Sequence, residues 1–250
     1  MENHTPFKNT PAEFTMIVIE GGTFDMGSDD NEAYDDEKPV HKVTLSDYWL
    51  GEYPVTQAVW AYVMQDTDMQ DPSNFKGENR PVEKVSWDDI VEHFLPKLNA
   101  LTEGVRPEGT EYRLPTEAQW EYAAKGGKYW KTYPFKYSGS DKMNEVGWYD
   151  VNSHNETKPV GLKTPNLLGL YDMSGNVWEW CEDQWHSSYD DAPKNGFAWK
   201  DKEISSGHIQ RGGGFLRNIV YCRSSRRGHD PKTLRGKVIG FRLALFSSLV

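Results

Sequence analysis

The sequence predicts a single domain of the α+β class with little regular secondary structure. Patterns typical of strands are short, only three stretches have helical spacing, and long loops lie between them. The chain has 250 residues, 37% of them hydrophobic, with 10 Trp, 13 Tyr, 22 Gly and 14 Pro. That length is enough to bury a sizeable core. Aromatic side chains stabilise an irregular core, because each of them buries a large area.

The strand predictions rest on short apolar runs and on alternation. Residues 14–28, FTMIVIEGGTFDMGS, are predicted to form two short strands joined by a Gly-Gly turn. Residues 43–56 alternate and predict a further strand, and residues 167–185 predict a turn that leads into a strand. Another alternating run, VIGFRLAL, occupies residues 238–245. No internal repeat and no clear linker separates these segments.

Each predicted helix begins at a residue that suits an N-cap. Thr56 precedes the helical spacing of TQAVWAYVMQ, and Ser86 precedes a second helix that Gly104 would end. Thr116 precedes the third helix, and Gln119 at its third position completes a capping-box pattern. These local signals predict three helices and leave most of the remaining chain to strands and loops.

The chain is acidic overall but basic in its last part. The formal net charge is −10 and the pI is about 5.2, which argues against a general nucleic-acid-binding role. Between Arg211 and Arg242, however, there are nine Lys or Arg residues and one acid, Asp230. Two interpretations are open: these arginines pair with acids elsewhere in the fold, or they form a basic surface for a partner.

Two cysteines, Cys181 and Cys222, are too few for a disulfide framework and lack the spacing of a zinc site. The sequence leaves open whether they form one bridge or remain two buried thiols. The first residues, MENHTPFKNTPAEF, show no charged segment followed by an apolar one, and no apolar run approaches membrane-spanning length. We therefore expect no membrane span, and any signal or lipid anchor would lie outside this sequence.

The segment from Arg211 to Leu245 has regular ends and an irregular middle. Between the RGG at its start and the alternating run at its end, LRNIVY and RGHD fit neither a helical nor a strand period. From Arg211 to Pro231 the segment also lacks Lys, Met, Trp, Glu and Gln, which are plentiful elsewhere in the chain. We know of no folding rule that would exclude all of these residue types.

Seven segments, taken in order, resemble the formylglycine-generating-enzyme (sulfatase-modifying factor) family. They are GGTFDMGS, HKVTLSDYWLGEYPVT, PVEKVSWDD, YRLPTEAQWEYAAKGG, GLYDMSGNVWEW, RGGGF and GFRLAL. The resemblance covers residues 14–246, and residues 1–13 are interpreted as an N-terminal extension. It implies a C-type-lectin-like fold with little regular secondary structure, which agrees with the α+β prediction made from the residues alone.

The family contains enzymes and binding proteins, so the fold alone does not decide function. The resemblance implies that the enzymes oxidise a substrate cysteine with two active-site cysteines that follow an RGGS-type turn. Here that segment reads GGGFLRNIVYCR, with Arg217 where the first cysteine is expected, and Cys222 matches a position before a later strand. One thiol without its partner does not support this copper-dependent oxidation, so we predict that the chain is not such an enzyme.

The resemblance also implies a calcium ion in the turn before the WEW strand. The implied ligands are the side chains of Asp172 and Glu179 and the backbone carbonyls of Gly175 and Val177. Calcium prefers several hard oxygen ligands, which carboxylates and the carbonyls of a tight turn can supply. The alternative is that Asp172 caps a turn and Glu179 pairs with an arginine.

The last part of the chain is similar to the variable proteins of diversity-generating retroelements, which share this fold. The resemblance implies a fixed scaffold between positions that are altered by copying errors at adenines. Here the scaffold would be residues 211–213, 221–225, Pro231 and 239–245, together with Arg227. An AAC codon changed only at its adenines cannot encode any of the five residue types missing here. The positions expected to be displayed are Leu216, Arg217, Asn218, Ile219, Val220, Arg226, Gly228, His229 and Asp230.

We therefore predict a non-catalytic protein that binds a ligand through this segment, as a receptor or adhesin at the cell surface. The arginines and the histidine of the segment suit an acidic or carboxylate-rich partner, either a protein or another surface ligand. Two other classes stay open: a family enzyme with an altered active site, and a fixed structural subunit of a surface assembly. Diversity of the segment among gene copies would separate the first class from the other two.

Several other residues with functional potential are interpreted as structural. His41 lies in a strand pattern, and His154 and His208 lie in loops without metal-like partners. Trp178 and Trp180 could stack on a sugar, but alternating residues of one strand face the same way and are predicted to pack in the core. The charged residues around the third helix are interpreted as ion pairs; they are Arg113, Glu117 and Glu121.

Overall fold

The computed structural model describes residues 1–201 and 207–247, and its first sheet joins the two ends of the chain. The strands of this sheet are β1 (Met16–Ile19), β4 (Tyr48–Gly51), β5 (Thr110–Arg113) and β10 (Ala244–Ser247). They are arranged in the order β1-β4-β10-β5, and all neighbours are antiparallel. The last strand therefore completes a sheet that begins with the first one.

A second four-stranded sheet and a separate hairpin complete the strands of the described residues. The sheet contains β6 (Trp178–Gln184), β7 (His208–Arg211), β8 (Arg227–Asp230) and β9 (Ile239–Phe241), in the order β8-β7-β6-β9. The hairpin contains β2 (Gly22–Met26) and β3 (His41–Leu45). The single strand predicted over residues 43–56 is wrong in its extent, because β3 pairs with β2 whereas β4 pairs with β1.

The three predicted helices are present and begin as expected. They are α1 (Gln57–Val63), α2 (Leu95–Thr102, preceded by a π-helical segment Asp89–Phe94) and α3 (Glu117–Ala124), and a short α4 (Met143–Val146) follows. The hydroxyls of Thr56 and Ser86 each accept a backbone N–H from three residues ahead, and Thr116 and Gln119 form the capping box. No helix in the described residues is long and apolar enough to cross a membrane.

Tryptophan side chains hold the core together. Trp60, Trp120 and Trp180 are completely buried, and Trp178 is 5% exposed. Trp60 stacks on Phe94 with the ring centroids 5.0 Å apart. Both tryptophans of the WEW strand belong to the same cluster as Trp60, so the prediction that they pack in the core is confirmed.

Two of the histidines interpreted as structural pack against aromatic rings. His208 stacks on Trp87 at 3.9 Å between centroids, and His41 contacts Tyr189 at 4.8 Å. His154 lies in a loop at a positive φ of 57°. None of these contacts places a histidine in a group that suits a metal ion within the described residues.

Residues 1–13, interpreted as an extension, pack against the domain. His4 and Met16 exchange two backbone hydrogen bonds, of 3.0 and 2.8 Å. The ring of Phe7 lies 4.9 Å from that of Tyr62, and Ala12 is fully buried. The boundary near residue 14 stays a prediction, and these contacts join the two sides of it.

Candidate ligand-binding site

The segment without a period forms a loop between two neighbouring strands of the second sheet. After β7, Gly212 and Gly213 adopt φ values of 93° and 74° and turn the chain away from the sheet. A 3-10 turn follows at Ile219–Cys222, and the chain then returns as β8, antiparallel to β7. We call residues 212–226 the tail loop.

Buried arginines fix the tail loop to the rest of the protein. Arg211, Arg223 and Arg227 are each at most 1% exposed. Their carboxylate partners are Glu121, Glu37 and Glu117, respectively. Arg223 Nη1 lies 2.8 Å from an oxygen of Glu37, and Arg227 Nε lies 2.8 Å from an oxygen of Glu117. Arg211 also donates to the backbone carbonyls of residues 224, 225 and 226, so the loop is held by charge-assisted hydrogen bonds.

Helix α3 supplies two of these carboxylates, so its predicted ion pairs are confirmed for Glu117 and Glu121. Arg113 was expected to join them but does not. It faces Ala244 across the β5–β10 ladder, and its guanidinium carbon lies 3.1 Å from the centroid of the Phe246 ring. The arginines that pair with Glu117 and Glu121 are instead Arg227 and Arg211, more than 80 residues later in the chain.

Glu121 gives the protein a defined response to acid. Burial opposes ionisation of its carboxyl, but the charges of Lys125 and Arg211 lower its pKa from 4.5 to about 2. Because the folded pKa is the lower one, the ionised form contributes stability above the unfolded pKa that is lost as the pH falls through it toward about 2. We expect the difference in free energy of unfolding between wild type and Glu121→Gln to shrink over this range in urea titrations. A difference that does not change with pH would contradict this.

Six of the seven arginines between residues 211 and 242 have a carboxylate partner, so internal pairing largely explains the basic segment. Arg226 was expected to be free for a ligand, but its Nη1 lies 3.1 Å from Asp36 Oδ1, and its guanidinium lies over the Tyr34 ring at 3.9 Å. Within the described residues, Arg217 is the arginine of this segment that has no carboxylate partner. The basic surface is therefore smaller than the sequence indicates.

Arg217 borders an open cleft of about 260 Å³ beside β8. Of the positions expected to be displayed, five line this cleft: Arg217, Arg226, Gly228, His229 and Asp230. Other lining residues were not indicated as ligand-binding by the sequence, and they include Asp36, Trp178, Trp185, Gln210, Tyr221 and Val238. Only the fold brings these residues together, although the acidic run that contains Asp36 is a natural counterpart of the basic segment.

The other four positions expected to be displayed lie on the neighbouring surface of the tail loop. Asn218 is exposed, and its side chain accepts the N–H of Val220 at 3.1 Å, which caps the 3-10 turn. Ile219 is partly buried and packs against the cluster that contains Cys222. Leu216 and Val220 are half-buried. Asn218 and Ile219 therefore support the loop as well as facing outward.

Planar side chains form the walls of the cleft. His229 stacks on Trp185 with centroids 4.1 Å apart, and the guanidinium of Arg217 lies 5.7 Å from the ring centroid of Tyr221. Gly228 lies against Trp178, and a Cβ added there would be 3.0 Å from the indole ring. Position 228 is therefore more restricted than the exposed positions of Arg217 and His229, which have room for other side chains.

The turn expected to bind calcium contains one carboxylate that fits a cation and one that is already paired. Burial raises the pKa of Asp172 to about 6, even though the Gly161 N–H donates to it at 2.8 Å. Glu179 accepts two hydrogen bonds from Arg242 and one from Trp120, as the alternative interpretation expects. An ion here would rely on Asp172, on the remaining lone pairs of Glu179 and on the carbonyls of Gly175 and Val177.

Neither cysteine is placed for oxidation chemistry. Cys181 and Cys222 are both free and fully buried, which decides between the bridge and the two thiols. Burial raises the pKa of both thiols, that of Cys222 to about 12. The thiolate is the nucleophile and the metal-binding form of cysteine, so we expect both side chains to be inert at neutral pH.

The fold and the site define a C-type-lectin-like domain with an anchored tail loop and a cleft beside its edge strand. Residues 3–246 match the model of the sulfatase-modifying factor enzyme 1-like domain, and the chain belongs to this family. The resemblance seen in the sequence and the predicted fold class are both confirmed.

Relatives of the chain include proteins with different names. It is 36% identical to chaperone protein LppX of Paenibacillus barcinonensis over 94% of this chain and 90% of that protein. It is 27% identical to the formylglycine-generating enzyme of Thermomonospora curvata over 88% of this chain and 89% of the enzyme. These names differ in activity, so membership of the family leaves function to be argued from the site.

Two solved structures share the fold over nearly the whole chain. Treponema denticola variable protein 1 superimposes with a TM-score of 0.83 at 30% identity, covering 97% of this chain and 98% of that one. PvdO from Pseudomonas aeruginosa superimposes with a TM-score of 0.80 at 28% identity, covering 96% and 97%. The similarity to a variable protein, predicted from the tail segment, thus extends over nearly the whole chain.

Proposed function

We propose that this chain is a non-catalytic ligand-binding protein whose recognition surface is the cleft beside β8. One observation carries the proposal, namely the division of residues 211–230 into buried and accessible positions. Of the positions expected to be fixed, residues 211–213, 222–225 and 227 are buried, but Tyr221 is half-buried and Pro231 is exposed. The positions expected to be displayed are all exposed or half-buried. Exposed positions usually change stability by only about 0.5 kcal/mol when substituted. The positions expected to be displayed can therefore vary while the buried arginines hold the backbone of the tail loop.

The second class is an enzyme with an altered active site, and the side chains of the cleft give this class little support. Arg217 stands where the resemblance places a catalytic cysteine, and both thiols of the chain are buried with raised pKa values. Incubation of the protein with cysteine-containing peptides, copper and oxygen, followed by mass spectrometry, tests whether the chain keeps the oxidation of the family enzymes. Conversion of cysteine to formylglycine would overturn the non-catalytic proposal.

We propose further that a retroelement diversifies the positions expected to be displayed. The support is the absence of Lys, Met, Trp, Glu and Gln from residues 211–231, together with the similarity to a variable protein. Sequencing the gene from many clones and searching the flanking DNA for a near-copy of the segment tests this. We expect differences at residues 216–220, 226 and 228–230 that match adenines in the copy. An invariant segment without a copy would contradict this proposal and leave the altered enzyme and the fixed structural subunit.

The ligand of this particular copy is expected to present a carboxylate beside a flat or apolar group. Among the described residues the guanidinium of Arg217 has no carboxylate partner, and the planar side chains of Tyr221 and His229 border the cleft beside it. A charge-assisted hydrogen bond contributes about 1.5–3 kcal/mol, so Arg217→Ala should weaken binding of an acidic ligand about 10- to 100-fold. Arg226→Ala is the matched control and should weaken it less, because Asp36 already pairs with Arg226. Calorimetry with ligands from a panel of acidic peptides and glycans measures both, and equal effects would contradict this assignment.

The similarity to a protein named as a chaperone favours a protein ligand among these. It covers 94% of the chain at 36% identity, so it includes the tail segment as well as the scaffold. Together with the similarity to a variable protein, it supports a place at the cell surface or outside the cell. Surface labelling of intact cells checks this location, and protection of the protein from the label would contradict it.

We also propose that calcium binds at the turn of Asp172. A ligand that binds only the folded state raises stability by about 2.7 kcal/mol at a hundredfold excess over its Kd. Millimolar calcium should therefore raise the melting temperature of the wild type, and Asp172→Asn should remove most of the increase. Asp150→Asn, at an exposed aspartate, is the control. An equal response of all three proteins, or none in the wild type, would show that this turn does not bind calcium.

A further inference from the structure

A segment rich in lysine and aromatic residues lies between α3 and α4. From residue 122 to residue 140 the chain has four lysines and six aromatic residues but no acid, although the net charge of the whole protein is −10. The lysines are Lys125, Lys128, Lys131 and Lys136. We call residues 127–136, GKYWKTYPFK, the lysine-aromatic loop. No feature of the cleft beside β8 accounts for this composition.

The aromatic side chains of the lysine-aromatic loop form an accessible apolar patch. Tyr129 is 39% exposed and Tyr133 is 46% exposed. Tyr133 and Phe135 border one small cavity together with Leu167, which is 50% exposed, so the patch continues onto a second loop. Large side chains that stay exposed together on a folded domain commonly mark a contact surface.

Two of the four lysines are available to a new partner, whereas Lys125 pairs with the buried Glu121 and Lys136 pairs with Glu32. Lys128 pairs with Glu20, but both side chains are about half exposed, at 49% and 63%. Such exposed pairs hold their partners weakly in water. Lys131 has no carboxylate partner within the described part of the chain, and its Nζ lies 5.1 Å from the Trp130 ring centroid. An anionic surface could therefore take up Lys128 and Lys131 without leaving a buried charge unpaired.

We propose that the lysine-aromatic loop docks the protein on an anionic lipid bilayer. Tyrosine and tryptophan favour the membrane–water interface because an apolar ring and a polar end suit its two sides, and nearby lysines can contact lipid phosphates. The net charge of the rest of the chain is acidic and opposes approach to an anionic membrane, whereas the lysines of this loop favour it.

Vesicle sedimentation with the intact protein tests the proposal. We expect binding to vesicles of three parts phosphatidylcholine and one part phosphatidylglycerol, weak binding to pure phosphatidylcholine, and release by high salt. Each neutralised lysine should weaken binding about five-fold, so Lys128→Gln with Lys131→Gln should weaken it about 25-fold. Tyr129→Ser with Tyr133→Ser should also release the protein. Absence of binding to the mixed vesicles would overturn the proposal.

A matched control uses the exposed basic loop that follows β8. Lys232→Gln with Lys237→Gln removes the same charge, and Leu234→Ser removes an apolar side chain that is 40% exposed. These changes should leave vesicle binding nearly unchanged. Equal losses in both sets would mean that net charge alone governs binding, which overturns the assignment to the lysine-aromatic loop. Melting curves of every variant verify that the fold persists.

Quenching by brominated lipids gives a readout that simple attraction to a polyanion does not produce. Trp130 is the tryptophan of the loop. It is partly buried against the core and its indole N–H donates to the Thr23 carbonyl at 3.4 Å, so bromine in the upper acyl chain should quench the fluorescence of its exposed edge when the protein binds. Trp130→Phe should abolish most of that quenching while vesicle binding persists. Binding to heparin without binding to vesicles, or bound protein without quenching, would identify a soluble polyanion as the partner and overturn the bilayer assignment.

Discussion

Replacing Arg227 with methionine is expected to lower the free energy of unfolding by about 3–5 kcal/mol. Arg227 is completely buried and makes two hydrogen bonds to Glu117, with Nε–Oε1 at 2.8 Å. Methionine keeps much of the apolar volume but leaves the Glu117 carboxylate buried without its main partner. The neighbouring Arg211, whose Nη1 lies 3.6 Å from Glu117, compensates for only a part of this loss. Urea denaturation at neutral pH measures the change.

The same replacement at an exposed arginine is the control for this result. Arg235 is bound to the buried carboxylate of Asp89 by two hydrogen bonds, but the Arg235 side chain is 59% exposed and Asp89 also accepts the N–H of Ser86, so Arg235→Met should cost less than Arg227→Met. Adding Glu117→Gln to Arg227→Met should recover part of the lost stability, because the buried charge is then gone. If Arg227→Met cost as little as Arg235→Met, the buried arginines would not anchor the tail loop as we describe.

Replacing Gly213 with alanine is expected to disturb the tail loop more than any substitution at the positions expected to be displayed. Gly213 has a φ of 74°, and a Cβ added there would lie 2.7 Å from both Cys222 Sγ and the carbonyl oxygen of Tyr221. Real Cβ atoms do not approach other atoms so closely, so the two ends of the loop would have to separate. Overpacking of this kind costs about 1–3 kcal/mol beyond the strain of a left-handed backbone.

Gly126 separates these two contributions. It has a similar φ of 91°, but no described residue has an atom within 4 Å of an added Cβ. Gly126→Ala should therefore show only the backbone strain, of about 1–2 kcal/mol. We expect Gly213→Ala to be clearly less stable in urea denaturation and to lose ligand binding, while Gly126→Ala keeps it. Equal losses of stability would show that the close approach at Gly213 can relax.

The parts of the fold that depend on neighbouring residues were predictable from the sequence. The caps of the helices follow from Thr56, Ser86 and Thr116, whose hydroxyls reach backbone groups three residues ahead. The buried WEW strand follows from its apolar run. Strand β8, in contrast, has no pattern of its own, because RGHD is strand only through its ladder with β7.

The candidate site shows the same division. The absence of a period and of five residue types indicated the segment that borders the cleft, and the resemblance to variable proteins indicated which of its positions are accessible. The sequence also indicated a basic surface, but it did not show which arginines of that surface pair with acids. The partner of Arg226 is Asp36, about 190 residues away in the chain, and no local rule connects the two. Trp185 and Gln210 enter the cleft for the same reason, through the order of strands in the second sheet.

By itself, the sequence determined the fold class, the three capped helices, the family and the location of the tail loop. These depend on hydrogen bonds over a few residues, on hydrophobic periods and on short motifs, all of which involve residues that are close together in the sequence. The tertiary structure alone decided which arginines are neutralised, and among the described residues it left Arg217 as the arginine of the cleft without a carboxylate partner. Ion pairing depends on distances between segments far apart in the chain, and those distances exist only when β10 and β8 have joined their sheets.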